Sequence, residues 1–162
     1  MLNKFKRTQE QWGGSNEVID HWLDTRQTLV VRYCKLAALQ PNALRTSITE
    51  LPTVTEIHGF CRRLVDYIST GHFKIYDMVK DKWESTGFTA TDEINQTYFA
   101  IVETTDPLLN FADKYLDVKG EDHLENFDRD LSHLGEILEA RFAVEDQLIQ
   151  LIVDSLSVPP GA

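Results

Sequence analysis

Hydrophobic residues recur every three to four positions along most of the chain, which is the spacing of amphipathic α-helices. The clearest example is a predicted helix from about 53 to 85, whose centre reads FCRRLVDYISTGHF at 60–73. Thr53 followed by Glu56 is a capping box that places the start of this helix, and Gly87 supplies a stop. Its inner stripe consists of Val54, Ile57, Cys61, Leu64, Val65, Ile68, Gly71, His72, Ile75 and Val79.

The opposite side of this helix is polar, as the pattern requires, except at one position. It carries Arg62, Asp66, Ser69 and Thr70, but also Phe73. An aromatic residue on an outer face is either an isolated apolar side chain, which is common, or part of a surface that binds another molecule. Both interpretations stay open at this point.

Three further long helices follow from the same spacing. They cover about 15–40, 91–120 and 122–156. The apolar positions keep one phase across Pro107, which predicts a single kinked helix rather than two helices. A short helix and a break are expected at 1–14. The pattern therefore predicts an all-α fold in which four long helices form a bundle. We expect a single domain over 1–162, with a flexible tail at 157–162.

Two charged residues fall inside the apolar stripes. Arg26 lies at the centre of the stripe of the 15–40 helix, and Glu145 lies in the stripe of the last helix, flanked by Arg141. An arginine at such a position either reaches past its neighbours to water, which is the commoner case on a peripheral helix, or is held by a carboxylate, because an unpaired buried charge costs several kcal/mol. Either Arg26 and Glu145 pair and fix the register of two helices, or they belong to a groove that accepts part of another protein. The groove hypothesis predicts that the groove is lined by Trp22, Arg26, Asp66, Tyr67, His72, Phe73 and Glu145.

The net charge restricts the class of partner. A formal charge of −10 and a pI near 4.9 argue against nucleic acid, because phosphate binding needs a basic face. The same charge favours a basic protein partner. Nine acidic residues lie from Glu121 to Asp146, against only Arg129 and Arg141. This second acidic face supports an alternative hypothesis, an adaptor that binds another regulatory or metabolic protein.

Enzyme chemistry has little support in the sequence. It contains no Glu-x-x-His or His-Glu-x-x-His metal motif, no nucleotide-binding glycine loop and no nucleophile elbow. Cys34 and Cys61 lack metal-ligand spacing and are expected to be buried thiols. His72 is read as a structural histidine rather than a ligand. We expect no enzymatic activity, no cofactor and no metal, and the absence of a membrane span or signal-like apolar run favours the cytoplasm.

Three stretches carry a resemblance to a known family. They are SNEVIDHWLDTR at 15–26, FCRRLVDYISTGHFKIY at 60–76 and LGEILEARFAVEDQLI at 134–149. On these motifs the chain resembles the regulator of sigma D (Rsd/AlgQ) family of bacterial anti-sigma factors. The segments 40–52 and 82–95 match no motif of the family.

The resemblance implies a helical bundle that binds the primary sigma factor, chiefly its region 4, the helix-turn-helix domain that reads the −35 promoter element. Such binding would keep sigma from the RNA polymerase core and from promoter DNA, and would favour sigma exchange in stationary phase. Carried onto matching positions, the resemblance gives as sigma-binding candidates Asp66, Tyr67, Ser69, His72 and Phe73. The supporting or groove residues that it gives are Asp20, Trp22, Arg26, Arg141 and Glu145.

Overall fold

The computed structural model describes residues 17–38, 52–70, 92–119 and 124–157. These residues form four α-helices and no strand, which confirms the predicted all-α bundle. The helices are α1 (Glu17–Ala38), α2 (Val54–Thr70), α3 (Asp92–Leu116) and α4 (Phe127–Ser157). The predicted N-terminal helix, the continuation of the central helix beyond Thr70 and the C-terminal tail lie outside the described residues.

The start of α2 is fixed by the predicted capping box. The backbone N–H of Thr53 donates to Glu56 Oε2 at 3.0 Å, and the N–H of Glu56 donates to Thr53 Oγ1 at 3.1 Å. Each side chain thus satisfies a backbone donor that has no partner inside the helix. The predicted boundary at this end is confirmed.

The third helix passes through Pro107 without a break, so the prediction of one helix rather than two is confirmed. Proline removes a backbone donor from the interior of the helix. Before the proline, the hydroxyls of Thr104 and Thr105 both donate to the carbonyl oxygen of Ile101, at 2.7 and 3.2 Å. Side-chain bonds of this kind accompany bent helices.

The bundle follows chain order. α1 packs on α2, α2 on α3 and α3 on α4, while α1 and α4 are in lighter contact. All four helices contribute to one core, whose apolar members include Leu23, Val30, Ile57, Leu64, Leu108, Ala112, Leu131, Leu138 and Ile149. At the end of α1 the structure buries Leu36 and exposes Ala37.

The contact between α1 and α4 depends on a glycine. Gly135 lies against the ring of Tyr33, and a Cβ atom at this position would overlap the tyrosine hydroxyl. That hydroxyl donates to the carbonyl oxygen of Leu131 at 2.9 Å. The glycine therefore permits the two helices to approach closely enough for this bond.

No helix among the described residues is long and apolar enough to cross a membrane.

Candidate protein-binding surface and its buried support

Two of the predicted sigma-binding residues lie on the surface of the bundle. Asp66 and Ser69 are exposed on the outer side of α2, opposite the buried Leu64 and Ile68. His72 and Phe73 lie outside the described residues. The outer face of α2 that the sequence singled out is therefore accessible at the positions where the structure describes it.

Tyr67 does not belong to that surface. Its side chain is 0% exposed, so its assignment as a direct surface contact is corrected. The ring of Tyr67 stacks on Trp22 of α1 at a centroid distance of 6.3 Å and meets Phe142 of α4 edge-on at 5.9 Å. Tyr67 faces the interior because side chains of α1 and α4 cover its ring, which widens the buried arc of α2 beyond one stripe.

The hydroxyl of Tyr67 lies in a buried polar network centred on Arg26. Arg26 Nε donates to the Tyr67 hydroxyl oxygen at 3.2 Å, and Arg26 Nη2 donates to Glu145 Oε2 at 3.0 Å. The Tyr67 hydroxyl in turn donates to the same Glu145 oxygen. Arg26 Nη1 reaches Asp146 Oδ1 at 2.6 Å. One guanidinium thus connects α1, α2 and α4.

Arg141 extends this network to α3. Its Nε donates to Glu145 Oε1 at 2.9 Å. Its Nη1 donates to the hydroxyls of Thr104 and Thr105 at 3.1 and 3.0 Å and to the carbonyl oxygen of Ile101 at 3.3 Å. Both oxygens of Glu145 are therefore used, one towards each arginine, and all four helices are tied together.

The alternative in which Arg26 and Glu145 pair is confirmed, and both side chains are 1% exposed. The groove lining predicted from Trp22, Arg26 and Glu145 is corrected, because the structure closes the helices over all three. A guanidinium at this depth is tolerated because two carboxylates and a hydroxyl surround it. These residues support a surface without forming it.

The aromatic neighbours of Arg26 complete its surroundings. Its guanidinium carbon lies 4.8 Å from the centre of the Phe142 ring and 5.3 Å from that of Trp22, within the range of cation–π attraction. The indole nitrogen of Trp22 is the one buried side-chain donor without a hydrogen-bond partner among the described residues. The ring of Trp22 thus contributes packing and stacking, whereas its N–H contributes no bond there.

The surroundings of Arg26 and Tyr67 shift the pKa of each side chain upwards. Burial opposes the charge on Arg26, but Tyr67, Glu145 and Asp146 outweigh it and raise its pKa above the ordinary value. Burial, together with Glu145, raises the pKa of Tyr67 well above its ordinary value, although Arg26 opposes this. Tyr67 therefore stays a neutral hydroxyl that can donate to Glu145.

The network suits a structural role better than a catalytic one. Its titratable groups are paired with each other, and they are closed off from solvent except at Asp146, which is partly exposed. No group of three potential metal ligands occurs among the described residues.

Most of the chain matches a known protein family. The family model described as regulator of RNA polymerase sigma(70) subunit, Rsd/AlgQ, matches residues 1–153. The chain belongs to the Rsd/AlgQ family. The resemblance found on the sequence motifs is thereby confirmed.

Individual members of the family are similar over nearly their whole length. A regulator of sigma D from Yersinia enterocolitica is 36% identical over 157 residues, which cover 96% of this chain and 92% of that protein. A regulator of sigma D from Yersinia pseudotuberculosis is also 36% identical, over 96% of this chain and 90% of that protein. A regulator of sigma D from Salmonella paratyphi B is 35% identical, over 96% of this chain and 94% of that protein.

The three Rsd/AlgQ motifs meet in the buried network. Trp22 and Arg26 come from the first motif, Tyr67 from the second, and Arg141 and Glu145 from the third. The motif residues that the sequence assigned to a groove are thus largely those that hold the helices in register. Asp20, on α1, is half-buried at the edge of the bundle.

Sequence reasoning missed three members of this network. Asp146 is the second carboxylate that contacts Arg26, and the signal for it in the sequence is its position directly after Glu145. Thr105 shares the apolar stripe of α3 with Ile101, Leu108 and Ala112, where its polar side chain is a signal of its own. Thr104 lies outside that stripe, and only the position of Arg141 across the helix pair identifies it.

Proposed function

We propose that the chain is an anti-sigma factor that binds the primary sigma factor, chiefly region 4, through the outer face of α2. Bound in this way, region 4 is withheld from the RNA polymerase core and from promoter DNA. The effect is stoichiometric rather than catalytic, so it depends on the relative concentrations of the two proteins and of the core. It favours exchange of sigma factors in stationary phase. Family membership supports the regulation of sigma, and the rest of this assignment is our proposal.

The observation that carries the proposal is the position of Asp66 next to Tyr67. Asp66 is exposed, whereas the adjacent side chain is buried and bonded to Arg26 and Glu145 of two other helices. Rotation of α2 about its axis would break those bonds. The carboxylate is therefore presented from a rigid helix, and little ordering free energy is lost on binding.

The chemistry of Asp66 suits the basic DNA-reading helix of region 4. A carboxylate that accepts a hydrogen bond from lysine or arginine contributes about 1.5 to 3 kcal/mol. Ser69, three residues further along the same side of α2, adds a hydroxyl that can donate or accept. His72 and Phe73 continue this predicted surface in the sequence.

The surface is not uniformly acidic. Arg62 and Arg63 are exposed on α2 together with Asp66, so attractive and repulsive charges alternate along it. An approaching helix must therefore place its own charges in register. Such a pattern selects among basic helices, because a wrong register brings like charges together.

Asp66→Ala tests the proposal directly. We expect the dissociation constant for isolated region 4 of the primary sigma factor to rise at least about tenfold, which corresponds to about 1.4 kcal/mol. Asp113→Ala removes another exposed aspartate, from α3, and serves as the matched control. Both variants should keep the far-UV circular dichroism of the parent chain. An unchanged dissociation constant for Asp66→Ala would refute the role assigned to this carboxylate.

A further inference from the structure

Charge is divided unevenly between the two halves of the bundle. α1 contains three acidic and three basic residues, and α2 contains two of each. By contrast, α3 has five acidic residues against one lysine, and α4 has seven against two arginines. Most of the negative charge in the described helices therefore lies in the α3–α4 half, away from the outer face of α2.

The α3–α4 half also contains an open groove. Its volume is about 220 Å³, and it is lined by Pro107, Asn110, Phe111, Lys114, Asp130, His133, Leu134 and Ile137. Phe111 and Leu134 form a buried floor, and Ile137 is half-buried. The groove is therefore apolar at its base and polar at its rim.

One end of the groove is held in place by a network of its own. Asp130 Oδ2 accepts hydrogen bonds from Lys114 Nζ and from the Tyr115 hydroxyl, both at 2.6 Å. This network fixes α3 against the start of α4. The groove is thus a preformed feature of the helix pair.

Exposed apolar side chains continue from the groove along α3. Phe99 is 67% exposed and Val102 is 39% exposed. Phe99 and Asn110 are eleven residues apart, which places them on the same side of the helix and about 16 Å apart along its axis. A large exposed aromatic residue in line with an apolar groove is typical of a protein-binding surface.

Carboxylates border this line of apolar side chains. Glu103, Asp106 and Asp113 are exposed on α3. None of the three forms an ion pair or side-chain hydrogen bond with another described residue. They are available to a cationic partner. The surface made by Phe99, Val102, the three carboxylates and the groove is called the α3–α4 surface below.

We propose that the α3–α4 surface is a second docking site, which takes a basic amphipathic helix of a partner protein. Two apolar side chains of that helix, about eleven residues apart on one face, contact Phe99 and enter the groove at Asn110. Lysine or arginine residues beside them meet Glu103, Asp106 and Asp113. The site is distinct from the outer face of α2, so one chain can hold two partners.

Charge complementarity selects this occupant over a second copy of the chain. A symmetric contact of two α3–α4 surfaces would bring the two most acidic faces together, and like charges in an interface cost free energy. A membrane surface or a nucleic acid would also present mainly negative charge to the site. A basic amphipathic helix satisfies both the apolar groove and the exposed carboxylates along α3.

A designed peptide tests the site without knowledge of the natural partner. The probe is a lysine-rich helical peptide of about 18 residues with leucines spaced at i, i+4, i+7 and i+11, and the control is a scrambled peptide of equal composition. Binding to the full chain is measured by fluorescence anisotropy. We expect the patterned peptide to bind at least about tenfold more tightly than the scrambled one.

Two variants and a matched control locate the binding. Phe99→Ala removes an exposed ring, and Asn110→Arg places a like charge at the groove rim; each should weaken peptide binding by at least about tenfold. Gln27→Arg adds the same charge on the exposed side of α1 and should leave binding unchanged. Saturation with sigma region 4 should not displace the peptide.

Several results would overturn the proposal. One is equal binding of the patterned and scrambled peptides, which would indicate charge attraction alone. Another is that neither Phe99→Ala nor Asn110→Arg weakens binding of the patterned peptide. A third is self-association of the chain that Asn110→Arg abolishes, because that would assign the surface to a second copy.

Discussion

Arg26 of α1 and Glu145 of α4 form an ion pair of 3.0 Å in the interior of the bundle. The pair is not isolated, since Glu145 also accepts a hydrogen bond from Arg141, which in turn bonds residues of α3. The outer face of α2 is held by the same network through Tyr67. The buried polar groups therefore determine how the proposed binding face is presented.

Glu145→Gln should destabilise the chain strongly. The substitution preserves shape but leaves Arg141 buried without a carboxylate, and breaking such a buried pair costs about 3 to 5 kcal/mol. Chemical denaturation followed by circular dichroism measures the loss. Lys114→Met is the control, because it breaks the exposed Lys114–Asp130 pair and should cost no more than about 1 kcal/mol. Equal effects of the two variants would contradict the role given to the network.

Gly135→Ala should destabilise the chain although alanine is the better helix former. The added methyl group would overlap the hydroxyl of Tyr33, and overpacking of this kind costs about 1 to 3 kcal/mol. At Gly59 of α2 an added Cβ would lie 3.6 Å from Arg32 Nη1, an ordinary contact. Gly59→Ala should therefore stabilise the chain by about 0.4 to 1 kcal/mol. In thermal denaturation, Gly135→Ala should lower the Tm and Gly59→Ala should raise it. A higher Tm for both variants would disprove the close approach of Gly135 to Tyr33.

The thiol of Cys61 should be nearly inert in the folded chain. Burial raises its pKa to about 12, so little thiolate forms at neutral pH. In a Cys34→Ser background, iodoacetamide at about pH 8 should label the folded chain roughly three orders of magnitude more slowly than the unfolded one. Comparable rates would contradict the burial of Cys61.

The same pKa shift of Cys61 has a definite sign for stability. The unfolded thiol ionises near its ordinary pKa, whereas the folded thiol ionises near 12. The stabilisation is complete below the unfolded pKa and is lost as pH rises towards 12. The stability advantage of the parent chain over a Cys61→Ala variant should accordingly shrink between about pH 8.5 and 12.

Association with sigma region 4 should slow as ionic strength rises. The chain carries a formal charge of −10, and opposed fields steer encounter at low salt. Stopped-flow measurements between about 0.05 and 0.5 M NaCl should show that the association rate constant falls and that the dissociation rate constant changes less. An association rate independent of salt would rule out steering.

The sequence predicted those features that depend on local spacing. The Thr53–Glu56 capping box, the continuity of α3 through Pro107 and the exceptional positions of Arg26 and Glu145 follow from residues close in the chain. Each is a statement about one helix, which periodicity describes well.

The burial of Tyr67 depends on neighbouring helices and was therefore missed. α2 packs against α1 on one side and α3 on the other, and the ring of Tyr67 also meets Phe142 of α4. The buried arc of α2 therefore includes Phe60 and Tyr67 beside the predicted stripe. The same limitation turned a buried network into a predicted groove. A single helical wheel does not show where a second neighbour lies.

The central claim is that sigma region 4 binds the outer face of α2, and amide chemical-shift mapping of the labelled chain tests it most directly. Titration with unlabelled region 4 should shift the resonances around Asp66 and Ser69 and leave those of Phe99 and Asn110 of α3 unchanged. Shifts confined to α3 and α4, with none around Asp66, would contradict the account.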